Sequence, residues 1–174
     1  MNVSRGRIGP DPTAEVAWRA CALTLLLFAG LEARAADCTV SAVGVNFGVY
    51  EPFIATPDDS VGQITVTCTH VSGPAIDVRY TVTLSTGSSG SYTPRRLRAG
   101  SGLLGYNLWS DPALSSIWGN GSSGTVIISG LLKVGPGVGN EIRSAVHPIY
   151  GRIPALQDAA EGDYLDSIVA TLTY

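Results

Sequence analysis

Residues 62–70, GQITVTCTH, set Ile64, Val66 and Cys68 on one side of an extended chain and Thr65, Thr67 and Thr69 on the other. A period of two, with β-branched residues at nearly every step, is the pattern of a strand with one buried face. On a helix those three apolar side chains would not share a stripe. The same reading continues along the chain. DVRYTVTLSTG (77–87) turns Val78, Tyr80, Val82 and Leu84 inward, and CTVSAVGVNFG (38–48) is a first strand broken or bulged at Gly44. LLGYNLWS (103–110), TVIISGLLKVG (125–135), EIRSAVHPIYGRIP (141–154) and GDYLDSIVATLTY (162–174) bring the total to about seven short strands. Between them, SSGSYTPRRLRAGSG (88–102) is a turn-rich connection, and DPALSSIWGNGSSG is a loop with one helical turn at 112–115. No stretch keeps a helical period and no segment repeats. Short strands at this spacing predict one all-β domain, an immunoglobulin-like Greek-key sandwich.

The first 35 residues stand apart from that pattern. Arg19 precedes the apolar run ACALTLLLFAG (20–30), and ARA (33–35) has the small-x-small form that signal peptidase accepts. The apolar run is too short to span a membrane. Residues 1–35 therefore read as a signal peptide and residues 36–174 as the exported domain, in transit through the periplasm to the cell surface. Of the 14 acids and 11 bases, three acids and four bases fall in the leader, which leaves 11 acids against 7 bases. A mildly acidic surface does not suit a nucleic-acid partner, and no polybasic tail points to a membrane surface.

Cys21 lies in the leader, so the exported chain keeps Cys38 and Cys68. In an oxidising compartment two cysteines most simply form one disulfide; a metal pair is the competing reading, with His70 and His147 as the available extra ligands. Little else suggests chemistry. The serines occur in loops such as STGSSGSY without the G-x-S-x-G form of a nucleophile elbow. His147 reads as packed or solvated. Asp58–Asp59 reads as turn chemistry, and Asp166, with Asp163 across Tyr164, as orienting a turn or a backbone amide. Tyr164 is a candidate tyrosine corner or an ordinary packed tyrosine. Trp109 on a strand reads as core. Trp118 is either core or a ligand platform, and with Arg95, Arg96 and Arg98 it forms the candidate surface-binding set. The expectation is a non-enzymatic protein with no cofactor and no metal.

Several stretches together resemble the spore coat protein U family, which includes subunits of archaic chaperone–usher pili. They are CTVSAVGVNFGVYEPF (38–53), GQITVTC (62–68), YTVTLSTGSSGSYTPRRL (80–97), LGYNLWSDPALSSIWGNG (104–121) and YGRIPALQDAAEGDYLDSIVATLTY (150–174). Trp109 stands where the family more usually has tyrosine. The resemblance implies a sandwich lacking its final strand, which a periplasmic chaperone and then the adjacent pilus subunit supply by strand addition at an outer-membrane usher. Ile168, Ala170, Leu172 and Tyr174 form an apolar comb along the last strand and are the expected groove residues. A donor needs about ten extended residues ahead of its first strand, at about 3.3 Å each. A cut after Ala35 leaves only Ala36 and Asp37 before Cys38, so the expectation is a receiver without a donor, at or near a pilus tip. The alternatives are a self-contained secreted or coat protein and a lectin-like binding module.

Overall fold

The computed structural model describes residues 35–137 and 139–174. Apart from Ala35, the leader read from the sequence lies outside the described residues. Eight strands form: β1 (Ala36–Val43), β2 (Asp58–His70), β3 (Ile76–Leu84), β4 (Arg95–Ala99), β5 (Gly102–Trp109), β6 (Ile128–Val134), β7 (Ile142–Ile153) and β8 (Ala170–Thr173). Five make one sheet in the order β1-β2-β7-β5-β4, and three make a second in the order β6-β3-β8. The chain changes sheet at β2–β3, β3–β4, β5–β6, β6–β7 and β7–β8, so most consecutive strands lie in opposite sheets across the core. Among the described residues no helix is long and apolar enough to cross a membrane.

Alternation places the core as expected. Ile64, Val66 and Cys68 of β2 are buried, and so are Val78, Tyr80, Val82 and Leu84 of β3. Leu104, Tyr106 and Leu108 of β5, Ile149 and Ile153 of β7, and Leu132 and Val134 of β6 close the space between them. A fully buried aliphatic side chain of this kind contributes about 1.5–3 kcal/mol relative to exposure. Cys38 and Cys68 stand directly opposite each other in the β1–β2 register, with Cα atoms 4.0 Å apart, and are disulfide-bonded. β1 stops at Val43, where a side chain at Gly62 would come within 2.6 Å of the Val43 carbonyl; the break expected at Gly44 follows directly.

Four local readings change. Residues 95–99 form a strand, not part of a connection: β4 pairs with β5 from Arg95↔Tyr106 to Ala99↔Gly102, turned by Gly100 at φ 56°. Three arginines among five residues mask its alternation. The helical turn expected at 112–115 is instead a turn in which Leu114 N–H donates to the Asp111 carbonyl and Leu114 adopts φ 55°. The Asp111 carboxylate accepts the N–H groups of Ser115 and Ser116, which satisfies the loop without a helix. The last strand is four residues long, because upstream of it the Asp166 side chain takes over backbone donors: it accepts Ser88 N–H and Ser167 N–H, and the Tyr106 hydroxyl at 2.7 Å. Finally, Asp59 serves as more than turn chemistry. It lies opposite Arg152 in the β2–β7 register and accepts from the guanidinium Nε and Nη2 at 2.5 and 2.6 Å.

Candidate functional site

β8 hydrogen-bonds to β3 through Thr81↔Thr173, Val82↔Leu172, Thr83↔Thr171 and Leu84↔Ala170. On its other side the three-stranded sheet ends. β3 continues past this ladder as Ile76–Tyr80, paired with β6 on one edge and, among the described residues, with no strand on the other. Two lengths of backbone edge, offset by one strand spacing, are therefore open among the described residues. Beside them lies a cleft of about 530 Å³, lined by Ala36 at the start of β1, by Ile76, Val78 and Arg79 of β3, and by Leu172 and Tyr174. β1 is the edge of the other sheet, so the cleft opens at the seam where the two sheets end side by side.

The side chains along this seam show what is uncovered. Val82, beneath the centre of β3, is fully buried, whereas Ile168, Ala170 and Leu172, on the same inward side of the last segment, are only half-buried against the core. Tyr174 is 45% exposed, and its hydroxyl donates to Asp37 Oδ1 at 3.0 Å across the seam. Of the four comb residues, Leu172 and Tyr174 line the cleft; Ile168 and Ala170 pack on the core upstream of it. Sequence patterning missed the β3 half of the edge, Ile76–Arg79. Alternation identifies the faces of a strand, but which of its edges has a neighbour depends on pairing partners remote in sequence.

The surface-binding set does not survive as a unit. Trp118 has no exposed area; its indole N–H donates to the Val82 carbonyl at 3.0 Å, and it links the two sheets as core. Arg95 is also without exposed area. It donates through Nε and Nη2 to the Ser85 carbonyl, through Nη1 to Asn107 Oδ1 at 2.8 Å and through Nη2 to the Trp118 carbonyl at 2.7 Å, with its guanidinium over the Tyr92 ring. Burial pulls its pKa down, and Tyr106, Tyr92 and Asp166 counter that. Alternation along β4 explains the split: Arg95 points in, while Arg96 and Arg98 are exposed. Two of the four residues thus hold the fold and cannot meet a surface. Trp109 is half-buried.

The other titratable groups are structural too. His147 bonds through Nε2 to the Tyr80 hydroxyl at 2.8 Å, and burial lowers its pKa. The hydrogen bond from Arg152 holds the Asp59 carboxyl below the usual range, whereas burial, then the Asp59 charge, raises that of Asp58. Tyr164 does act as a corner, donating to the Ala160 carbonyl at 3.1 Å. Gln157 was not anticipated. Its amide pairs with both backbone groups of Gly105 at 2.8 Å, imitating a strand beside β5. No group of three or more His, Cys, Asp or Glu among the described residues could hold a metal ion.

The family model of the Spore Coat Protein U domain matches residues 24–171. Protein U of Myxococcus xanthus is 31% identical over 137 residues, which cover 75% of this chain and 71% of that protein. Among solved structures, one similar to this chain is the chaperone–tip adhesion subunit pre-assembly complex CsuC–CsuE, from archaic chaperone-usher Csu pili of Acinetobacter baumannii. That match has a TM-score of 0.48 and 21% identity over 80% of this chain, and spans only 40% of the other. With the family model covering both cysteines and nearly every strand, the chain belongs to the Spore Coat Protein U family.

Proposed function

We propose that this protein is a structural and adhesive subunit of a surface pilus, exported through the periplasm and completed by a strand from another molecule. The reading rests on the resemblance stated above and is carried by one observation: the open backbone edge of β8 and of Ile76–Tyr80 in β3, beside a cleft that leaves Leu172 half covered. An extended edge of this kind, apolar beneath, invites pairing with another chain and invites aggregation until it is paired. A periplasmic pilus chaperone is the first partner, and the adjacent subunit, delivered at the usher, is the second.

A terminal position in the pilus is part of the proposal. Cleavage after Ala35 would start the mature chain at β1 itself, whose Cys38 is tied to β2, with no free segment to donate. Sequencing the mature N-terminus tests this; a start well before Ala33 would defeat it.

The open edge is tested with the purified exported chain. Alone it should self-associate, with rapid amide exchange along β8 and along Ile76–Tyr80; a monomer with both segments protected would overturn the reading. Leu172→Asp should abolish capture by a co-expressed pilus chaperone, while Leu131→Asp, at a site already 49% exposed, should not. A second reading, a self-contained coat protein, has one contact in its favour: the Tyr174–Asp37 hydrogen bond that draws the seam together.

A further inference from the structure

A second cleft, of about 570 Å³, lies where the ends of β3 and β8 meet the loops around residues 90–93 and 120–123. We propose that it binds a short neutral oligosaccharide. Its lining includes Thr83, Ser91, Thr93, Asn120, Ser123 and Thr171, and contains no Asp, Glu, Lys, Arg or His. Its one phenol, that of Tyr92, is already committed to the Leu84 carbonyl at 3.0 Å.

Thr83 and Thr171 are Cα partners across the β3–β8 ladder, so both hydroxyls stand side by side on the sheet's outer face. The hydroxyls of Thr83, Thr93, Ser123 and Thr171 make no hydrogen bond among the described residues. The frame around them is tied down. Asn120 Oδ1 accepts both Ser122 N–H and the Ser122 hydroxyl, which fixes its amide and leaves the Nδ2 donors without a protein acceptor among the described residues. Ser91 Oγ accepts Thr93 N–H at 3.1 Å.

The lining chooses the ligand class. A charged ligand would lose its hydration without meeting a counter-charge. An apolar one would strand the free hydroxyls. A neutral sugar chain carries hydroxyls that donate and accept as these do, and a volume within the usual range of small-molecule sites, about 300–1,000 Å³, exceeds the needs of one ring. The cleft uses the outward face of β8, whereas strand addition would use its backbone edge, so this site is independent of the proposed assembly.

The test uses the full exported chain and a panel of neutral di- and trisaccharides of glucose, mannose, galactose and N-acetylglucosamine, with 3′-sialyllactose as the charged control, read by saturation-transfer NMR and titration calorimetry. At least one neutral sugar should bind with a Kd of about 1 mM or tighter. Thr83→Val with Thr171→Val preserves shape and strand propensity, and should weaken that binding about tenfold with melting unchanged. Thr65→Val on the opposite sheet should leave it intact. An absence of neutral binders up to about 10 mM, equal binding of the sialylated sugar, or undiminished binding by the double variant would each overturn the assignment.

Discussion

The removal of Arg95 is the sharpest test of how this core is held. A guanidinium with no exposed area engages three acceptors, the carbonyls of Ser85 and Trp118 and the Asn107 amide oxygen, at 2.7–3.1 Å. Arg95→Met keeps the stem but strands two of them, the Ser85 and Trp118 carbonyls, because Asn107 Oδ1 still accepts Leu108 N–H at 3.0 Å. An unsatisfied buried acceptor costs about 1–3 kcal/mol, so the gross loss is about 2–6 kcal/mol. Relief from burying the cation returns several kcal/mol. A net loss of about 2 kcal/mol remains, which lowers Tm by about 6 °C in a domain of this size. Arg95→Lys separates geometry from charge. The ammonium retains the burial cost, yet one nitrogen cannot serve three acceptors that a planar fork reaches together. Lysine should therefore destabilise at least as much as methionine. Urea unfolding followed by fluorescence of the fully buried Trp118 reads the difference directly. An Arg95→Lys protein within about 1 kcal/mol of the parent would refute the reasoning, because it would mean that a buried positive charge suffices and the fork is incidental.

Two further outcomes are expected. Cys38→Ser opens a link spanning 30 residues and should cost about 3–4 kcal/mol on the chain-entropy account, with lower periplasmic yield; the parent melted with reductant should match it, and an unchanged melt would mean the bridge adds nothing. His147 has a folded pKa below its free value of 6.5, so the unfolded chain binds the extra proton, and stability should fall as pH drops from about 7.5 through 6.5 to the lower folded value. His147→Gln should flatten that slope, and an unaltered slope would assign the dependence elsewhere.

The chain's local pattern determined a great deal. Alternation placed Ile64, Val66 and Cys68, and Val78, Tyr80, Val82 and Leu84, on buried faces, because the side chains of an extended chain must point to opposite sides whatever they meet. Two cysteines past the segment read as a leader sufficed for the bridge. Asp166 orients backbone amides as its position suggested, and of the two readings open for Tyr164 the structure takes the corner. Only the tertiary structure decided the rest. Arg95 looked like a surface group because charge and turn-rich neighbours usually mean solvent, and Trp118 could be read either way. Arg95 is interior because β4 pairs with β5 and turns every second side chain inward, and Trp118 because its backbone bonds to Leu108 and its indole to the Val82 carbonyl. Gln157 gave no local signal, since the Gly105 backbone it clasps is 52 residues away in sequence. The open edge was half legible. The comb of Leu172 and Tyr174 could be read from one strand, but the length of β3 beside it is identified only by the register, in which β8 pairs with Thr81–Leu84 and not with Ile76–Tyr80. Which faces are apolar is written residue by residue; which edges are left unpaired is a property of the assembled sheet.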